Sequence, residues 1–228
     1  MPIGPPVAPI AERRPGPVTL AGRHARVEPL DPPRHGPDLF EAIAGADPAM
    51  WTYMFFGPFA GRDAFMAWLA PQAGGEDPVE YAVVDAATGR AQGMVGLLRV
   101  VPQWATCEVG SIWYGPAVMR TPLSTEAMYL MARYVFEDLG YRRYEWKCDA
   151  LNAPSRRAAE RLGFRYEGLF RKHMVYKGRS RDTAWYAMTD DDWPTVKAAL
   201  EAWLDPVNFD AEGRQVRALD ALRAGLTP

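Results

Sequence analysis

Apolar and polar positions change period several times along the chain, and each change marks an element. Residues 19–30 read Thr-Leu-Ala-Gly-Arg-His-Ala-Arg-Val-Glu-Pro-Leu and predict a first strand pair. Pro29 has no N–H to donate, so it confines that stretch to a sheet edge or a strand end. Helical spacing follows twice. Leu39, Phe40 and Ile43 share one face of a helix over 33–46, and Phe65, Met66, Trp68 and Leu69 make 62–73 a second. Between them, Trp51-Thr-Tyr-Met-Phe-Phe-Gly-Pro-Phe59 is aromatic but too irregular for one element; it reads as a core plug or as a wall over a cleft. Strand signals at 79–85, 93–101 and 106–114, broken at Ala86-Ala-Thr-Gly89 and Pro102-Gln-Trp104, then predict an antiparallel meander.

After the meander the two periods alternate. Ala127, Leu130, Met131, Tyr134 and Val135 recur at helical spacing over 124–139, a helix opened by Ser124 and Thr125 and closed by Gly140. A strand over 143–148 follows. Asn152 and Ser155 then bracket the start of a short helix over 154–162, with Pro154 near its first position, Leu162 closing it and Gly163 suited to a left-handed cap. Strands over 165–170 and 183–188 flank a basic hairpin turn at 171–181, and Asp190-Asp-Asp-Trp193-Pro opens a last helix to about Leu204. The whole predicts a mixed α/β fold with helices on both faces of a sheet. Residues 1–18 hold six prolines and read as a mobile or draped arm; 19–204 form the domain; 205–228 are an amphipathic extension, helix or tail, and a surface for a homodimer.

Composition narrows the function. The 228 residues are 48% hydrophobic and 24% charged, ordinary for a soluble globular protein. No apolar run reaches the roughly 18–20 residues of a membrane span, and the N-terminus lacks the features of a secretory signal, so a cytoplasmic protein without membrane contact is expected. A formal charge of -2 argues against a nucleic-acid binder. Cys107 and Cys148 read as buried thiols on neighbouring strands, and no Cys/His spacing suits a metal.

One stretch carries chemistry. The pattern Asn152-x-x-Ser155-Arg-Arg, four residues, then Leu162-Gly-Phe-x-x-x-Gly168 resembles the second acyl-CoA-binding motif of the GCN5-related N-acetyltransferases, in the form found in the ribosomal-protein acetyltransferases RimJ and RimL. The resemblance spans residues 19–204. It implies the GNAT fold, a mostly antiparallel sheet with one splayed parallel strand pair. The pantetheine arm of acetyl-CoA would lie in the splay against the backbone of Ile112, Trp113 and Tyr114, beside a bulge at Val109-Gly110. An N–H near Ile112 would face the oxyanion.

The family's glycine-rich pyrophosphate loop corresponds here to Arg120-Thr-Pro-Leu-Ser-Thr-Glu-Ala127, in which Arg120 and Pro122 stand where glycines are usual. Pro122 removes one N–H; the N–H groups of Leu123, Ser124 and Thr125, the hydroxyls including that of Thr121, and the charge of Arg120 remain for an anion. Asn152 would bond the pantetheine or a water, Ser155 would lie near the sulfur or cap its helix, and Arg156 would meet phosphate or solvent. Glu108, as a carboxylate desolvated between strands, is the candidate base, with an ion-paired strand residue as the alternative. Ser111 would position the acceptor or relay a proton. The helix position of the family's tyrosine acid holds Ala159, leaving Tyr166 or Ser155 as substitutes. The basic hairpin would overhang the acceptor side, while His173 belongs to no triad and Asp182, Tyr186 and Trp193 read as structural. The expected activity is acetyl transfer from acetyl-CoA, by direct attack, to a primary amine of a small molecule, peptide or protein N-terminus. The rival is a non-catalytic scaffold whose phosphate loop has degenerated.

Overall fold

The computed structural model describes residues 3–226. The opening hairpin is β1 (Leu20–Ala21) and β2 (Ala25–Pro29), followed by α1 (Pro32–Ala42) and α2 (Arg62–Leu69). The meander is β3 (Val79–Asp85), β4 (Ala91–Val101) and β5 (Thr106–Tyr114). Then come α3 (Pro122–Arg133), β6 (Arg143–Asp149), α4 (Ala153–Arg161), β7 (Arg165–Tyr176), β8 (Arg179–Thr189), α5 (Trp193–Leu204) and α6 (Leu219–Ala224). The strands form one sheet in the order β1-β2-β3-β4-β5-β6-β8-β7. Every neighbouring pair is antiparallel except β5 and β6.

The sheet separates two apolar layers. Tyr81, Val83, Val95, Leu97, Val109, Tyr144, Trp146 and Tyr186 face α3, α5 and α6, while Ala82, Val84, Met94 and Trp113 face α1, α2 and the aromatic segment before α2. Strand β3 is buried on both faces from Val79 to Val84, which is why its sequence is a near-continuous apolar run. The aromatic segment is a core plug: Trp51 packs 6.1 Å from Trp113, and Phe56 and Phe59 stack among Phe65 and Trp68.

Several boundaries differ from the sequence expectation for local reasons. Helix α1 stops at Ala42 because the chain turns through a left-handed Gly45. Helix α3 begins at Pro122 rather than Ser124, with Thr121 as cap and proline in the first turn, where a missing N–H costs nothing. Its last stretch, Tyr134–Asp138, is a π-helix that ends at a left-handed Gly140. The expected basic turn at 171–181 is mostly strand. The reversal occupies only Lys177-Gly178, both left-handed as a tight hairpin turn requires, and a bulge between Phe170 and Met174 absorbs the rest, with Lys172 N–H donating to Asp182 at 2.7 Å.

Both terminal segments are tied to the domain. The proline-rich arm is draped: Tyr81 and Tyr141 hydroxyls donate to the carbonyls of Gly16 and Arg13 at 2.6 and 2.7 Å. The extension buries Leu219 and Leu222 in the layer of α3 and α5, and Arg223 donates to the carbonyls of Arg161 and Glu160 at 2.8 and 3.1 Å, closing the C-terminal end of α4. Leu219 and Leu222 are thus used within the chain, while Val207 and Val216 of the same extension stay exposed. The outermost positions of these segments, 1, 2, 227 and 228, lie outside the described residues.

One buried carboxylate locks α3 to the sheet. Glu126, near the start of α3, accepts the backbone N–H groups of Arg23, His24 and Ala25 at 3.0, 2.5 and 2.7 Å. The turn can approach because Gly22 has no Cβ, which would lie 2.4 Å from the Glu126 carboxyl carbon. Replacing Glu126 by Ala strands these donors, each charge-assisted bond being worth about 1.5–3 kcal/mol, so denaturant unfolding of Glu126→Ala should show a loss of about 3 kcal/mol or more.

Candidate active site

The parallel pair β5/β6 runs in register from Thr106↔Arg143 to Val109↔Trp146 and then stops. Beyond that point β5 pairs only with β4, through Gly110↔Gly96, Trp113↔Met94 and Tyr114↔Gly93, while residues 147–149 of β6 pair only with β8. The strands therefore part, leaving one backbone edge of Gly110, Ser111, Ile112, Trp113 and Tyr114 without a strand partner. The cause is a bulge. Between Gly96 and Met94 the chain advances two residues on β4 and three on β5, and the extra residue turns through Ser111, whose φ is 52°. The expected bulge at Val109-Gly110 is thus displaced by a residue. Gly110 is extended and in register, and its missing Cβ makes room for Leu98.

Beside the bulge lies a carboxylate that sequence reading passed over. Glu80 on β3 is 6% exposed; its register partner on β4 is Gly96, whose partner on β5 is Gly110. The side chain crosses Gly96, where a Cβ would lie 2.4 Å from Oε2, and Oε1 accepts the Ser111 hydroxyl at 2.6 Å. Oε2 is buried without a partner. Burial pushes the Glu80 carboxyl up to about 7, opposed only by the Ser111 bond. Its signal in the sequence was one acidic residue inside an otherwise apolar, doubly covered strand.

Glu108 has different surroundings from those expected. It is buried, but Arg99 Nη1 lies 2.5 Å and Lys147 Nζ 2.7 Å from Oε2, and Lys147 also bridges to Glu145 at 2.6 Å while sitting 4.0 Å over the Trp185 ring. The carboxylate is thus ion-paired with cations from β4 and β6, as the alternative of an ion-paired strand residue describes.

At the top of the splay, Arg120 takes a left-handed conformation with φ 61°, and its exposed side chain has no ion-pair partner among the described residues. Thr121 N–H is taken by Ser124 Oγ at 3.3 Å and Thr125 N–H by the Thr121 carbonyl at 3.2 Å. Thr125 is 2% exposed and its hydroxyl accepts from Arg161 at 3.2 Å, so both of its polar groups are engaged inside the fold and it leaves the set of anion donors. Leu123, Ser124 and Arg120 stay at the mouth of α3.

A model of the acetyltransferase (GNAT) domain matches residues 27–165 of the chain. A GCN5-related N-acetyltransferase from Brucella melitensis is 46% identical, with 93% of this chain and 96% of that one aligned at a TM-score of 0.91. The chain belongs to the GNAT acetyltransferase family. A protein from Chromobacterium violaceum described as a probable acetyltransferase (GNAT family) is 38% identical over 85% of this chain and 99% of its own, at a TM-score of 0.76. An uncharacterized N-acetyltransferase of Bacillus subtilis, YnaD, is 27% identical over 88 residues, 39% of this chain; the match spans about half (51%) of that relative's length.

In this GNAT domain the motif helix α4 sits on the far side of the splay. Asn152 caps it, its Oδ1 accepting Ser155 N–H at 3.1 Å, which leaves the amide NH2 without a partner among the described residues. Ser155 is not the cap; its hydroxyl accepts Trp146 Nε1 at 3.0 Å. Arg156 Nε donates to the Tyr186 hydroxyl at 3.0 Å, and Tyr186 in turn donates to Glu160 at 3.1 Å. Tyr166 lies on the exposed face of β7 against Tyr186, and Ala159 is wholly buried. Tyr114 is half-buried at the end of the splay, its hydroxyl pushed up by burial. On the hairpin side, a depression of 780 Å³ is lined by Asp149, Leu151, Arg171, Lys172, Ser180 and Asp182. The aromatic segment borders that side: the Tyr53 hydroxyl donates to the Leu151 carbonyl at 3.1 Å and Lys177 to that of Trp51 at 2.8 Å. Among the described residues no group of three or more His, Cys, Asp or Glu can hold a metal ion, and no helix is long and apolar enough to cross a membrane.

The Glu80 environment has a consequence for stability. Its folded value of about 7 lies above the ordinary 4.5, so the native state retains a proton that the unfolded chain has lost between those pH values. Ionising the buried group opposes folding, hence stability falls as pH rises from 4.5 through 7, by up to about 3 kcal/mol at about 1.4 kcal/mol per pK unit. Thermal melts of Glu80→Gln between pH 5 and 8 should lack this decline and cross above the wild type at the alkaline end.

Proposed function

We propose that this GNAT protein moves an acetyl group from acetyl-CoA to a primary amine by direct attack. The observation that carries the reading is the parting of β5 and β6 beyond Val109↔Trp146, which leaves the 110–114 backbone edge open to a chain-like ligand. A pantetheine arm is such a ligand, with amides that can pair with the backbone of Ile112, Trp113 and Tyr114 as a strand would. The free amide of Asn152 faces the same need from α4. The pyrophosphate would lie at the start of α3, held by the Leu123 N–H and Arg120; the Thr121 hydroxyl, which donates to the Val118 carbonyl at 2.7 Å, and the Ser124 N–H of the capping box would have to exchange their partners for it. A neighbour sharing only the fold, the Microcin C7 self-immunity acetyltransferase at 18% identity, was crystallised with acetyl-CoA and AMP.

The acceptor side is the depression bounded by the β7–β8 hairpin. Its walls mix the acids Asp149 and Asp182 with Arg171 and Lys172, which suits a polar amine of a small molecule, a peptide or a protein N-terminus rather than an apolar one. The form of the 152–168 motif supports the RimJ/RimL branch. The rival reading, a GNAT-fold scaffold without turnover, is favoured by one feature: Pro122 and the engaged Thr125 N–H leave few backbone donors for phosphate.

Isothermal calorimetry with acetyl-CoA separates these. The proposal expects heat and a 1:1 complex, weakened about tenfold in Arg120→Ala, equivalent to about 1.4 kcal/mol for one lost phosphate contact. A release assay for free thiol across primary amines then distinguishes enzyme from scaffold. No heat at millimolar acetyl-CoA would remove acetyl transfer; binding without thiol release would favour the scaffold.

A further inference from the structure

We propose that Glu80, acting through the Ser111 hydroxyl, is the base that receives the proton of the acceptor ammonium. The inference rests on the acetyltransferase reading and assigns that reaction's proton acceptor to a strand distant in sequence from the acyl-CoA motifs.

The argument begins with the buried glutamates. Glu28 is paired with Arg26, Arg34 and His35; Glu108 with Arg99 and Lys147; Glu126 holds three backbone N–H groups. Glu80 alone among them has neither a cation nor a backbone donor, only the Ser111 hydroxyl and an orphaned oxygen. A carboxylate kept for structure would be paired, since an unpaired buried charge costs several kcal/mol. Among the described residues, the charged groups that β2, α1, β4, β5 and β6 bring to this side of the sheet include Arg26, Glu28, Arg34, His35, Arg99, Glu108, Glu145 and Lys147, with Asp38 at its edge, and all of these are ion-paired. Helix α2 contributes only apolar side chains there.

Geometry supplies the connection. Ser111 is half-buried and stands at the residue where β5 turns away from β6, held in a left-handed conformation that an ordinary side chain avoids. Its hydroxyl lies against Glu80 Oε1, and the backbone of the same residue borders the splay. Burial brings Glu80 to about 7, where a base is half-ionised near neutrality. In the step, an ammonium N–H proton passes to Ser111 Oγ as the serine proton passes to Glu80 Oε1. The neutral amine forms the C–N bond while the acyl C–S bond breaks. The second nitrogen proton ends on sulfur as the free thiol, and Glu80 returns its proton to solvent through Ser111.

The test uses the full chain with acetyl-CoA and a panel of primary amines: alkyl diamines, amino-acid amides and peptides with free N-termini. Wild-type thiol release comes first; its absence with every amine would overturn the acetyltransferase reading and this proposal with it. Given turnover, Glu80→Gln should lower kcat about 100-fold or more while the KM for acetyl-CoA stays within about threefold. The acidic limb of kcat/KM, centred near pH 7, should vanish with it. Ser111→Gly, which relieves the backbone strain as it removes the hydroxyl, should lose rate in a protein that melts no lower than wild type. Glu108→Gln should keep the limb. Turnover and limb unchanged in Glu80→Gln, or a limb lost in Glu108→Gln, would refute the assignment.

Discussion

The molecule is organised around a single loss of register. Two parallel strands pair for four residues, and one extra residue at Ser111 then turns β5 away from its neighbour. An unpaired strand edge inside a sheet is expensive, because its backbone N–H and C=O groups have no partner of their own. The rest of the fold keeps that edge from closing. On one side β4 holds residues 110–114 in its own ladder, and on the other β8 holds residues 147–149. Helices α3 and α4 start at the same end of the two strands, so a helix N-terminus and a motif loop flank the gap.

The distribution of charge follows from the same construction. A sheet covered on both faces has little room for ions, and most of those present are neutralised locally. Glu126 is consumed in tying α3 to the first hairpin, and Glu108 and Glu145 share Lys147 beneath Trp185. Against that background a lone carboxylate beside the bulge stands out by its lack of partners rather than by its position in the chain. Gly96, in register with Glu80, clears the path that lets a β3 side chain reach β5.

Much of the fold was readable from periodicity and punctuation. The strand pair at 19–30, the meander, α3 and the strand–helix–strand around 143–170 lie where alternation and helical spacing put them. The proline at the start of α3 and the length of the β7–β8 hairpin were less legible: a bulge such as that at Lys172 depends on the Asp182 side chain across the ladder, which no local pattern announces. The site was legible in part. Its motif residues Asn152, Ser155 and Arg156 do come together on α4, and Ile112, Trp113 and Tyr114 do lie on the open edge. The surroundings of Glu108 were not legible, because Arg99 and Lys147 arrive from two other strands.

By itself, then, the chain determined its elements, the order in which they occur and the family motif. These depend on local backbone preference and on which side of each element is apolar, and both are properties of neighbouring residues. Only tertiary structure decided which carboxylate is neutralised and which is left without a partner. That outcome depends on register across three strands, where a one-residue shift sends a side chain to the opposite face of the sheet.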